Sequence, residues 1–157
     1  NAIPIIDSLI RDIPENPYFW ELKGQALLEG GAPAKALASL RQANKLLPNS
    51  GLIQILYAQA LIATEDRANI KQALNLLTLA KKTERDSVDV YKYSALAYGY
   101  LNDLPRAELA TAEMAMMQGD TALASEKAKR VIGQFKHGSP EWMKANDVLN
   151  FTSKERN

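Results

Sequence analysis

A chain that repeats itself every few dozen residues buries its apolar faces by stacking one copy on the next, and this chain repeats. Pro14 and Pro48 lie 34 residues apart, as do Trp20 and Gln54. Ala36, Leu40 and Ala43 recur with the same internal spacing as Ala73, Leu77 and Ala80. Ala107 follows Ala73 by a further 34 residues. Between Ala36 and Ala73 the interval is 37. Three extra residues are therefore expected near 65–69, and three is close to one helical turn, so the later face stays in phase. The repeating units are rich in Ala, Leu, Glu, Lys and Gln, which favour helix. The predicted fold is all-α, built of helical hairpins.

Punctuation supports that layout. Asn16-Pro17 offers an N-cap and a proline at the first helical position. Gly30-Gly31 ends a helix and Pro33 opens the next. Asn49-Ser50, Asp86-Ser87, Asn102-Asp103, Gly119-Asp120 and Ser139-Pro140 mark further starts and turns. Gly24 lies inside the helix-forming stretch "FWELKGQALLEGG", where glycine costs about 1 kcal/mol relative to alanine. Such a glycine implies close approach by a neighbour. Gly24, Ala58 and Ala95 share one place in the first helices, and Ala36, Ala73 and Ala107 share one in the second helices, where paired helices are expected to cross closely. Trp20, Gln54 and Tyr91 share another site, expected to pack between units; Gln54 breaks its aromatic pattern.

A 34-residue period carrying W-x₂-L-G-x₂-Y, then A-x₃-F, then P resembles the tetratricopeptide repeat (TPR) signature. The first full repeat offers Trp20, Gly24, Leu27, Ala36, Leu40, Ala43 and Pro48, with Lys23 where the pattern has leucine. The second offers Tyr57, Ala58, Leu61, Ala73, Leu77 and Ala80. The third offers Tyr91, Ala95, Tyr98 and Ala107, with Thr111 in place of a large apolar residue. The resemblance implies a TPR solenoid. Its expected extent is a single domain over 3–151. This comprises the second helix of a truncated repeat at 3–13, repeats at 17–48, 51–85 and 88–118, a degenerate half-repeat at 120–136 and a terminal helix at 140–151. Residues 152–157 form a tail, and Asn1-Ala2 reads as an expression scar. Beginning halfway through a repeat suggests a piece of a longer protein.

Composition narrows the chemistry. Hydrophobic residues make up 46% of the 157, so disorder is excluded. The formal charge of +1 argues against nucleic acid as a partner. No cysteine is present, which rules out disulfides and thiolate metal sites and fits either cytoplasm or periplasm. His137 is the single histidine, beside Gly138 in an expected solvated loop, with no partners at metal or catalytic spacing. The Glu65-Asp66 and Glu84-Arg85-Asp86 clusters sit at expected helix ends, where capping and the helix dipole account for them. Lys81, Lys82, Arg85, Lys127, Lys129 and Arg130 fall late in second helices, and Met114, Met116 and Met117 suit core packing. No catalytic, metal or cofactor site is predicted in these residues.

What remains is a surface. First helices of TPR repeats line the concave groove in the family this chain resembles. Carrying those positions over gives Tyr18, Leu22, Gln25 and Glu29, then Leu52, Leu56, Gln59 and Ala63, then Asp89, Tyr93, Leu96 and Tyr100. Tyr93 and Tyr100 are seven apart and share a face distinct from that of Tyr91 and Tyr98. Tyrosine rings beside the Gln25 and Gln59 amides suit an extended peptide. Another domain of a longer parent could equally cover this face. The TPR proteins that grip chaperone tails use Lys and Asn at set groove positions; Glu21, Gln25 and Leu56 stand there instead, against that ligand.

The stretches "NPYFWELKGQALLEGG", "LPNSGLIQILYAQALIAT", "AYGYLNDLPRAELATAEMAMMQGD" and "GSPEWMKANDVL" together resemble the C-terminal TPR tail of bacterial zinc metallopeptidases. These belong to the HExxH, CAAX-prenyl-protease-like group that includes the beta-barrel assembly-enhancing protease. The resemblance implies a periplasmic parent with an N-terminal protease domain that holds the zinc. It also implies partners among polypeptide substrates, assembly-machinery proteins and that protease domain. No pair of histidines exists here, so these residues lack the HExxH element. The expected role is a non-catalytic protein- or peptide-binding module, with a free-standing adaptor or scaffold as the alternative.

Overall fold

The computed structural model describes residues 1–155. Among them are nine α-helices and no strand. They fall into two compact units, one of residues 1–85 and one from Asp86 onward, where the sequence reading has a single domain over 3–151.

The first unit holds α1 (Ile3–Asp12), α2 (Pro17–Glu29), α3 (Pro33–Leu46), α4 (Gly51–Ala63) and α5 (Arg67–Ala80). Each helix packs on the next, and α2 also packs on α4. The caps are those the sequence signals. The Asn16 side chain accepts from the Tyr18 amide, Ser50 from Ile53 and Asp66 from Asn69, at 2.9, 3.3 and 2.9 Å. These contacts satisfy amides that a helix start leaves without internal partners. The core runs through Ile53, Tyr57, Ala58 and Leu61 of α4, Leu40 and Ala43 of α3, and Ile70, Ala73, Leu77 and Ala80 of α5.

Both hairpins of this unit turn in three residues, 30–32 and 64–66, and both second helices are 14 residues long. The three extra residues therefore do not lie near 65–69. They lie in the link between α5 and α6, residues 81–87, against 47–50 after α3. Counted from the helix starts, Ile70 matches Ala36 and Ala107, while Ala73 stands one turn later on the same buried face. Face residues three or four apart repeat along any helix, so the sequence matched in two registers. The surplus residues continue as turns, with the Glu84 amide donating to Ala80 O at 2.8 Å. Thr83 and Glu84 lie over Gly51 at the start of α4, where a Cβ would overlap the Thr83 hydroxyl.

The second unit holds α6 (Val88–Tyr100), α7 (Leu104–Met117), α8 (Thr121–Val131), a 3-10 turn (Ile132–Gln134) and α9 (Pro140–Glu155). Helix α7 packs against α6, α8 and α9, so it closes one hairpin and opens the next. Ala112, Ala115, Ala124, Ala128 and Val148 form one core cluster, with Met116, Leu123 and Leu149 packed on it. Leu109, Val131 and Ala145 form another, with Ile132 and Phe135. The Arg106 guanidinium donates to Asp103 Oδ2 at 2.7 Å and to Glu141 Oε1 at 3.4 Å, linking the start of α7 to α9. Helix α9 continues to Glu155, so residues 152–155, read as tail, are helical; Thr152 is buried, and residues 156–157 lie outside the described residues. Among the described residues no helix is long and apolar enough to cross a membrane.

Candidate functional site

Gly24 answers the question its sequence position raises. A Cβ there would overlap Cγ and Cδ2 of Leu40, a fully buried side chain on α3. Glycine thus lets α2 and α3 pack backbone to side chain. Ala58 is fully buried in the same place on α4. Ala95, eighth in α6 as Gly24 is in α2, is only half-buried, and so is Ala107. Within its unit α6 packs on α7 alone, so Ala97 rather than Ala95 is the alanine of α6 that is fully buried.

Gln54 has a physical role that its break in the aromatic pattern concealed. Its Nε2 donates to Pro48 O at 2.8 Å, six residues back. Trp20 Nε1 donates to Pro14 O at 2.7 Å, also six residues back. What the repeat preserves at this site is an N–H donor to the preceding turn. Lys23, the departure from the leucine of the signature, pairs through Nζ with Asp7 Oδ1 of α1 at 2.7 Å. Tyr57, the matching residue in α4, is buried, and its hydroxyl accepts from Gln72 Nε2 at 3.3 Å. His137 is exposed but not free in its loop: its ring lies 4.1 Å from that of Trp142 on α9, centroid to centroid.

The residues assigned to a peptide-binding face stand on α2 and α4 in the first unit and on α6 in the second. On α2, Tyr18 is 60% exposed and Leu22 45%; on the adjoining α4, Leu52 is 63% exposed. Gln25, Glu29 and Ala63 are exposed, while Leu56 and Gln59 are half-buried. Gln25 Nε2 donates to Glu29 Oε1 at 2.9 Å, which fixes both side chains. Leu22, Gln25 and Glu29, with Ala26, also border a groove of about 370 Å³ whose other wall is Ala2, Ile5, Ile6 and Leu9 of α1. Sequence reasoning missed that α1 wall; the signal was present in the uninterrupted apolar pair Ile5-Ile6 followed by Leu9-Ile10, too apolar for one buried face. On α6, Leu96 and Tyr100 are exposed, Tyr93 is half-buried, and the Lys92 ammonium lies 5.4 Å from the Tyr93 ring centre. Burial, reinforced by Asp89, raises the Tyr93 pKa, so its hydroxyl is neutral at physiological pH. Glu21, between Tyr18 and Gln25, is half-buried, and desolvation raises its carboxyl pKa.

These faces offer rings, aliphatic carbons and amides in short helical rows, which suit polypeptide contact. Among the described residues no group of three His, Asp or Glu stands close enough to hold a metal ion. The TPR domain of cytochrome c-type biogenesis protein H matches residues 8–120.

The chain belongs to that family. It is therefore a TPR protein-interaction module, and both units are helical as the family requires. Among solved structures, the crystal structure of MamA is similar at a TM-score of 0.70 and 15% identity, over 99% of this chain and 86% of that one. TTC0263, a thermophilic TPR protein of Thermus thermophilus, is similar at 0.56 and 17%, over 95% and 89%. At such identities the likeness shows the TPR fold. No curated protein matches the chain.

Proposed function

We propose that the chain binds polypeptide segments on the exposed faces of its first helices: Tyr18, Leu22, Gln25, Leu52, Leu56 and Gln59 in the first unit, and Tyr93, Leu96 and Tyr100 in the second. The observation that carries this reading is the exposure of Tyr18, Leu22 and Leu52 on the neighbouring α2 and α4, beside amide side chains. Large apolar side chains on water-facing helix rows cost free energy unless a partner covers them. The family's name ties it to cytochrome c-type biogenesis, which supports a protein client over a small ligand.

The test uses peptides selected on the whole chain from a displayed library. Leu22→Asp with Leu52→Asp, or Tyr93→Ala with Tyr100→Ala, should weaken the selected peptides by about tenfold or more, because each pair removes two contact side chains. Circular dichroism should be unchanged. Retained affinity in both double mutants refutes a role for these faces.

The finer reading is that this module recruits substrates or partners for an attached periplasmic zinc metallopeptidase. Its support is the resemblance of the four quoted stretches to the TPR tails of those enzymes. A stand-alone adaptor accounts for the fold and the faces equally well. The sequence upstream of these residues in the parent gene separates the two: an HExxH motif supports the first, and its absence refutes it.

A further inference from the structure

We propose that the groove between α1 and α2 is a seat for one α-helix of another polypeptide, held as α2 is held on α3 and α4. The argument rests on an internal equivalence. Helix α1 ends and leads into α2 as α3 ends and leads into α4, at a constant offset of 34 residues. The residues after them, Ile13 and Leu47, have φ, ψ of −137°, 76° and −136°, 73°. The Asn16 amide donates to Ile13 O at 3.2 Å, and the Ser50 amide to Leu47 O at 3.3 Å. The α1–α2 pair therefore repeats the α3–α4 pair.

On α3 and α4 the counterparts of the groove wall are covered. Ala2, Ile5, Ile6 and Leu9 correspond to Ala36, Ser39, Leu40 and Ala43, all buried, and Ala26 corresponds to the fully buried Ala60. Helix α2 packs on both α3 and α4. At the equivalent place on α1, Ile5 is 68% exposed and Leu9 is 37% exposed. Ser39 and Ala43 have given way there to Ile5 and Leu9, so this wall is more apolar than the one that α2 covers. The geometry also specifies the chemistry of the occupant. Leu40 faces Gly24 with no room for a Cβ, and Ile6 stands at the place of Leu40. The incoming helix needs glycine or alanine opposite Ile6, with apolar residues a turn to either side. It runs alongside α2 and against α1, as α2 runs alongside α4 and against α3. Its C-terminal end then lies near Glu29, the charged residue of the groove, whose carboxylate is held by Gln25. A Lys or Arg there completes the match, and it also suits a helix C-terminus.

The probe is a stapled helical peptide of the α2 sequence, residues 17–29, with Lys in place of its last Glu, titrated into the whole chain and followed by fluorescence anisotropy. Saturable binding is expected. Ile5→Glu should weaken it by about tenfold or more, since a large apolar contact is lost at an exposed position that the fold does not need. Glu29→Lys in the chain should weaken the Lys-ended peptide and favour the Glu-ended one. A peptide with Leu in place of Gly24 should not bind. Unchanged affinity in Ile5→Glu overturns the proposal, as does failure of both peptides to bind. Binding only when the peptide is joined ahead of residue 1, and not when free, overturns it in favour of a helix of the same polypeptide. Self-association abolished by Ile5→Glu, without peptide binding, overturns it in favour of a second copy. Ile5 lies on α1, outside the faces of the proposed function, so either idea can fail alone.

Discussion

At the scale of residues, close packing and desolvation set the sharpest expectations. Gly24→Leu places carbon where Leu40 already stands, and Leu40 is fully buried and has nowhere to move. The expected loss is about 1–3 kcal/mol of stability from overpacking. Leu40→Ala in the same chain should recover part of it, and thermal melts of the single and double mutants read both effects. Glu21 concerns pH. Its raised pKa means the folded state holds its proton more tightly than the unfolded state does, so ionisation at that site costs stability as pH rises through the carboxylate range. Glu21→Gln should therefore raise the melting temperature at about pH 7. The gain should fade as pH falls and Glu21 itself becomes neutral.

The hairpin turns govern behaviour at the scale of elements. Turns 30–32, 64–66, 101–103 and 118–120 are all three residues long, and the middle residue of each has positive φ: Gly31 at 78°, Glu65 at 56°, Asn102 at 59° and Gly119 at 78°. In three of them the last amide donates back over the αL residue, Ala32 to Leu27 O, Asp103 to Tyr98 O and Asp120 to Ala115 O, each at 2.9 Å. This is the Schellman ending, which closes a helix with its carbonyls satisfied. Glycine and asparagine tolerate that conformation and glutamate does so at a cost of roughly 1–2 kcal/mol. Glu65→Gly should stabilise the chain by about 1 kcal/mol in urea unfolding, with an unchanged m-value. The turn at 118–120 repeats the geometry of the hairpins before it, which is how α7 comes to serve two partners.

For the whole molecule the contacts define units of 1–85 and 86 onward, joined through 81–87. Lys82 and Arg85 are exposed in that link. Brief trypsin treatment should cut there first and yield two fragments that remain helical by circular dichroism. First cleavage inside α3, α4 or α7 would contradict the division. The family match over residues 8–120 runs across both units, so the repeat pattern extends along the chain beyond either compact unit.

Period, helix type and caps were legible in the residues themselves, because proline, glycine and the Asn, Ser and Asp caps act within a turn of where they stand. Gly24 was legible too, since a glycine inside a strong helix former implies a close neighbour, though only the packing shows that neighbour to be Leu40. The site of the three-residue insertion was not legible: one helical turn returns the same face, and small residues match in either register. Nor was the function of Gln54, whose amide and the Trp20 indole share only an N–H that reaches a proline carbonyl six residues back. The α1 wall of the groove escaped for a related reason. Which side of an apolar helix stays in water depends on neighbours distant in sequence, and burial is decided only when those neighbours have packed.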